Sequence, residues 1–326
     1  NAKTGLNLSA EDINSNGTVG SVLRAYLSNG AYADLKVLPD VAAARAVERM
    51  KAKCEERNCS VELKEVGQGN ETRAVYEVKT EKELECIKSY FATQNLQKTK
   101  LVIWSDYDIS NQENIKKYKD KIDFRIYNPI EEAKGTILEN HVEKLLAKDG
   151  KYYLQSDLLR LLALHKYGGI WIDMDIILLR DFKPILDQEF LYQWGGDTNF
   201  SIEGCCATVI SLKKDSKLSQ LFLEEILNMP IIGSTTIWGK DLFARVYRKN
   251  KFDILPSSFF NIEWLISKVD KKLSEDILDF WFDKECPDEL LFLDCFAWHW
   301  HNSTNKNKTI QPNSKFDKLR KYIDSL

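Results

Sequence analysis

No apolar run in this 326-residue sequence reaches the eighteen or so residues that a bilayer-spanning helix needs. It also lacks a cationic surplus. Its 46 lysines and arginines stand against 49 aspartates and glutamates, a net charge of −3, so it has no electrostatic case for binding nucleic acid. An anionic ligand must then be held by a local site. The 7 cysteines include no Cys-x-x-Cys pair, which argues against a zinc site. The opening stretch "NAKTGLNLSAEDINSNGTVG" has neither an initiator Met nor the basic-then-apolar pattern of a signal peptide. It reads as a trimmed or processed chain from which any membrane anchor is absent.

What is present describes an ordinary globular protein, 44% apolar and 29% charged. Its length suits two domains, or one large α/β domain with an appendage. Asn-x-Ser/Thr sequons begin at Asn7, Asn16, Asn58, Asn70, Asn199, Asn302 and Asn307. Chance alone gives roughly two or three, so the excess leans towards a secretory-pathway lumen.

Residues 1–70 read as an N-terminal extension: a polar leader to about residue 30, a helix near 40–57 and a strand near 60–66. From residue 71 to 326 the rhythm changes to alternating elements. "RAVYEVKT" reads as a strand, "EKELECIKSYFATQ" as a helix, "KLVIWSD" as a strand, "QENIKKYKDK" as a helix and "DFRIYNP" as a strand. Such alternation predicts an α/β fold with an open, mostly parallel central sheet and a ligand beyond the carboxyl ends of its strands.

"YLQSDLLRLLALHKYGG" predicts a buried helix with Ser156 as N-cap and Gly168–Gly169 as its stop. Asp157 and Arg160 share its first face at i, i+3, as a structural ion pair or as ligand-binding groups. "IWIDMDIILL" then reads as a strand. If that strand stayed regular, Asp173 and Asp175 would point to one side, and two like charges so close need a cation. Carboxylates are hard ligands suited to manganese or magnesium. A nucleophilic Asp-x-Asp phosphohydrolase uses the same tripeptide, but it wants a small or flexible continuation where this chain has "IILL".

"SDLLRLLALHKYGGIWIDMDIILLRDF" resembles the donor-sugar-binding signature of glycosyltransferase family 32, which includes α1,4-galactosyl- and α1,4-N-acetylglucosaminyltransferases. "WGKDLFARVYRK", "ILPSSFFNIEW" and "FAWHWHNS" resemble further blocks of that family, in order, over about residues 72–312. The resemblance implies a single GT-A type nucleotide-sugar-binding domain that uses Mn2+ or Mg2+ and a nucleotide-sugar donor, a UDP-sugar above all. It implies transfer with retention to a glycan, glycolipid or glycoprotein acceptor, in a type II protein facing the Golgi lumen. By position, Asp173 and Asp175 engage metal and diphosphate. Asp157 and Arg160 hold donor-sugar hydroxyls, Trp238 and Gly239 belong to the donor-binding segment, and His299 is a further metal ligand. His301 stands where the α1,4-transferases carry Trp, and "WHWH" can also be read as plain aromatic packing. Glu203 and Asp197 are candidates for a nucleophile or for orienting the acceptor. Lys240 and Glu203 depart from the family pattern, so acceptor and donor sugar do not carry over. A fold that has lost catalysis and serves as a carbohydrate-binding scaffold is the alternative.

Overall fold

The computed structural model describes side chains for residues 82–147, 153–194, 205–231, 237–263 and 277–326, and backbone also for 21–26, 32–37, 60–65, 81 and 271–276. The chain divides into two units, Asn1–Val75 and Tyr76–Leu326. In the first, β1 (Ser21–Tyr26), β2 (Tyr32–Val37) and β3 (Ser60–Glu65) form an antiparallel sheet in the order β2-β1-β3. The leader expected up to residue 30 therefore contains a strand. Within it, Leu23 pairs with both Leu35 and Leu63. The helix expected near 40–57 and the strand expected at 73–80 lie outside the described residues.

The second unit opens with α1 (Glu81–Thr93), β4 (Val102–Ser105) and β5 (Asp123–Ile126), the two strands pairing in parallel. The helix expected over 112–121 is only a 3-10 turn, Lys116–Tyr118. Ile115 is the one fully buried residue there, and a single anchor makes no amphipathic stripe. Short helices α2 (Pro129–Ala133) and α3 (Val142–Leu145) follow; Asn128 caps α2 by accepting from the Ile130 and Glu131 amides.

Helix α4 (Tyr153–Tyr167) starts a turn earlier than expected, so Ser156 lies inside it and caps nothing. Leu154, fully buried, extends the apolar surface back by that turn. Leu154, Leu158, Leu161 and Leu162 are all essentially inaccessible and anchor the largest core cluster. The double-glycine stop is as expected. Gly168 and Gly169 have φ of +70° and +109°, conformations that side-chain-bearing residues rarely adopt.

Beyond the glycines come β6 (Gly169–Ile172), β7 (Ile176–Leu178), β8 (Phe190–Gln193), β9 (Cys205–Leu212), α5 (Lys217–Asn228), a π-type turn at Ile237–Asp241, α6 (Leu242–Lys249) and β10 (Asp253–Leu255). Then follow α7 (Lys271–Phe282), β11 (Ala297–His299), α8 (Asn302–Asn305) and α9 (Lys315–Asp324). The architecture is mixed α/β about a central sheet, as the sequence predicts, but that sheet is not mostly parallel. In the order β10-β8-β9-β6 only β10 and β8 run parallel, and a separate antiparallel pair joins β11 to β7.

The C-terminal aromatic cluster holds β11 from behind. Inside it the Lys315 ammonium, fully buried, pairs with Glu263 at 2.8 Å, and Glu263 accepts the Trp298 indole N–H at 3.0 Å. Each buried charge is thus met by a partner, without which it would be costly.

Gly168 sets the exit from α4. A Cβ there would lie 2.7 Å from the Lys214 backbone nitrogen. Gly168→Ala is expected to destabilise the fold by about 2 kcal/mol or more, from left-handed strain plus the clash, read as a lower urea midpoint.

Candidate active site

The ten-residue strand expected through the two aspartates is broken. β6 pairs with β9, β7 pairs with β11, and the chain crosses between the two sheets over Asp173, Met174 and Asp175. The Asp173 amide still donates to the Thr208 carbonyl at 2.9 Å, extending the first sheet. The Asp175 carbonyl already accepts from the Trp300 amide at 3.0 Å, beginning the second. The two carboxylates therefore flank a crossing and do not share the face of a regular strand.

Each carboxylate has its own support. Asp173 Oδ1 accepts from the Trp171 indole at 2.7 Å and from Arg160 at 3.2 Å, and Arg160 reaches back to Asp157 Oδ1 at 3.0 Å. Arg160 thus bridges the helix carboxylate and the crossing, with its guanidinium over the Trp171 ring at 5.4 Å. Asp175 Oδ2 accepts the Asn302 backbone N–H at 2.8 Å and faces His299 Nε2 at 3.2 Å. Desolvation raises the Asp173 pKa, with the neighbouring Asp175 charge adding to it, against the pull of Arg160. Burial pushes Asp175 the same way but loses there: His299 and the Asn302 amide bring its pKa down to about 2.

His299 ends β11 opposite Ile176 and is 4% exposed. His301 lies on the same side, its ring stacked on His299 at 3.7 Å between centroids, its Nε2 3.0 Å from Asn261 Oδ1. Trp298 and Trp300 turn the other way, into the C-terminal cluster. Trp238 is fully buried in the core around α4. Gly239 is close to Asp157, since a Cβ on it would sit 3.6 Å from Asp157 Oδ2. Glu203 and Asp197 lie outside the described residues. Two supports escaped sequence reasoning, the Trp171 indole and the Asn302 amide. The first could have been found at i−2 from Asp173; nothing local marks the second.

The donor set fits a divalent ion in one place. Asp175 Oδ2 and His299 Nε2, 3.2 Å apart, are spaced like neighbouring ligands of an octahedral ion with bonds of about 2.1 Å. In this structure that pair is a hydrogen bond from His299 Nε2 to the carboxylate, with His299 Nδ1 buried without a partner, so a bound ion would take the place of the proton between them. Among the described residues no group of three or more His, Cys, Asp or Glu converges, so further positions would fall to water and ligand oxygens.

Residues 80–192 match the family described as "Glycosyltransferase sugar-binding region containing DXD motif". That segment is thus similar to a glycosyltransferase sugar-binding region. The match runs from α1 to β8 and includes Asp157, Arg160, Asp173 and Asp175; with the α/β architecture it agrees with the expected GT-A-like fold. Among solved structures the chain is similar to "PaToxG Glycosyltransferase", at 17% identity and a TM-score of 0.39, over 76% of this chain and 83% of that one. None of the curated proteins matches.

The Arg160 bridge is expected to matter for the fold as well as the site. Arg160→Met leaves Asp157 and Asp173 facing each other without a cation and should cost about 3 kcal/mol in a urea titration. Arg160→Lys, with a point charge in place of a planar fork, should recover only part of that.

Proposed function

We propose that this protein is a metal-dependent, retaining glycosyltransferase of family 32. On this reading it moves a hexose or N-acetylhexosamine from a nucleotide sugar, most simply a UDP-sugar, to a glycan, glycolipid or glycoprotein acceptor in α-linkage. One observation carries the reading: within the matched sugar-binding region the Asp-x-Asp sits on a sheet crossing, with Asp175 held ionised against His299 and Asp173 held by Arg160. Asp175 and His299 would hold Mn2+ or Mg2+, which when bound would neutralise charge on a departing diphosphate. Asp157 and Arg160, one residue-pair away from the crossing, would orient donor hydroxyls, with Gly239 leaving room beside Asp157.

Retention requires attack from the face that the nucleotide leaves. Same-face attack by the acceptor hydroxyl, assisted by the leaving phosphate, asks for no protein nucleophile; Glu203 and Asp197 are the side chains proposed to orient the acceptor. We place the protein in the Golgi lumen as the lumenal part of a type II protein, on the strength of the sequon excess. Among the described residues no helix is long and apolar enough to cross a membrane. The Asn302 sequon bears on this differently, because its backbone amide holds Asp175 and a glycan there would crowd the site.

The test is a manganese-dependent screen for nucleotide release from UDP-galactose, UDP-N-acetylglucosamine, UDP-N-acetylgalactosamine, UDP-glucose and GDP-mannose, run beside Asp175→Asn. Release from one donor is expected, abolished by chelator and lowered about a hundredfold or more in the variant. Asp175→Asn should stay folded with its thermal midpoint lowered by no more than about 8 °C, since an amide oxygen still accepts from Asn302 while the charge facing His299 is lost. Full activity in that variant would remove the metal assignment, and a scaffold would release nothing and bind no nucleotide in calorimetry.

A further inference from the structure

Lys82 is the second residue of α1, is 5% exposed, and is more than 200 residues in sequence from the groups it binds. Its ammonium donates to the carbonyl oxygens of Asn305 at 2.8 Å and Lys308 at 2.6 Å, with a longer contact to Lys306 at 3.4 Å. It also faces the Phe282 ring at 4.6 Å and the Trp300 ring at 5.7 Å. An ammonium has three donors, and here all are directed at main-chain carbonyls. Burying that charge costs free energy, and burial accordingly lowers its pKa. A leucine or methionine would fill the space at less cost, so packing alone does not account for an ammonium here.

The carbonyls it gathers belong to the end of α8 and the turn after it, where the Asn305 carbonyl also accepts the Lys308 amide at 3.1 Å. A cation at a helix C-terminus is the favourable sign of charge. The other end of the same single-turn helix is Asn302, whose amide N–H donates to Asp175 Oδ2, the oxygen that faces His299. Just before it, His301 sits at φ +53°, a backbone conformation costly for a non-glycine residue, and Trp300 binds the Asp175 carbonyl through its amide. The Asn305 side chain closes the segment on itself by donating to the Trp300 carbonyl at 2.8 Å. Four residues of helix with a strained entry need an outside anchor to hold one geometry, and Lys82 supplies it.

We propose that Lys82 is a positioning residue for the candidate metal site, acting through the 302–308 segment to fix the direction of the Asp175 carboxylate. The inference rests on the reading of Asp175 as a metal ligand. It is tested on the full chain by titrating Mn2+ in the presence of UDP and reading free Mn2+ by electron paramagnetic resonance, with thermal midpoints measured alongside. Lys82→Met is expected to weaken Mn2+ binding about tenfold, the scale on which groups supporting a ligand act. Phe316→Leu disturbs the same aromatic cluster through Phe282 and Trp300 without touching the 302–308 carbonyls. It should lower the midpoint yet change Mn2+ affinity less than about twofold. Should Lys82→Met fail to fold, Lys82→Gln, which keeps a shorter donor, is read the same way. Unchanged affinity in the Lys82 variants, or an equal loss in Phe316→Leu, overturns the proposal. Wild-type protein whose Mn2+ binding is absent, or is indifferent to Asp175→Asn, overturns the metal reading first and this inference with it.

Discussion

A polypeptide that leaves one sheet and enters another within three residues must keep its main-chain groups paired on both sides, and the rest of the described architecture follows from that constraint. The last rung of the first sheet is the Asp173 amide on Thr208, and the first rung of the second is the Trp300 amide on Asp175. Those rungs fix where each aspartate emerges. They also tie the site to segments distant in sequence, β9 on one side and β11 on the other. Unlike a regular strand, a crossing lets two acidic residues one position apart take different partners, which relieves the repulsion that a shared face would impose.

The partners then give the two carboxylates different characters. Asp173 is locked by an indole N–H and a guanidinium, and 30% of its side chain is exposed. Asp175, 18% exposed, is aimed by a main-chain amide at a histidine and stays ionised far below neutral pH. Linkage gives the sign: because its folded pKa is depressed, Asp175 contributes stability that is fully present above the ordinary carboxylate range and is lost as pH falls towards about 2. Asp173 works in the other direction. Desolvation raises its pKa, so some of the fold's stability is given up to keep that carboxylate ionised.

The legible parts were those written in local patterns. The all-round leucines of α4, the double glycine, α1 and the parallel β4–β5 pair follow from periodicity and turn chemistry, and Asp157 with Arg160 follows from helical spacing. The strand break was not legible, because "IWI" and "IILL" are both apolar and read as one run; only pairing with different partners separates them. Strand pairing is non-local, which is also why the central sheet turned out mixed and why β1 hid in a polar leader. Lys82 and Lys315 are the extreme cases. Each looks like an ordinary surface lysine in sequence, and only the fold shows what its ammonium meets.

The paired histidines show how far the same reasoning extends. Trp298 on β11 and Trp300 just beyond it enter the core, while His299 and His301 stack on each other away from it. Asn261 donates its amide N–H to the Trp194 carbonyl at 3.3 Å, which leaves Asn261 Oδ1 as the acceptor facing His301 Nε2. That nitrogen must then carry the hydrogen, which makes it a donor and not a lone pair available to a metal. Both Nε2 atoms thus face an acceptor oxygen, and the partner separates them: His299 faces a carboxylate, where a cation can replace the shared proton, while His301 faces a neutral amide. The same asparagine binds the chain at Trp194, immediately before residues 195–204. Asn261 thus ties the stacked imidazoles to the end of β8.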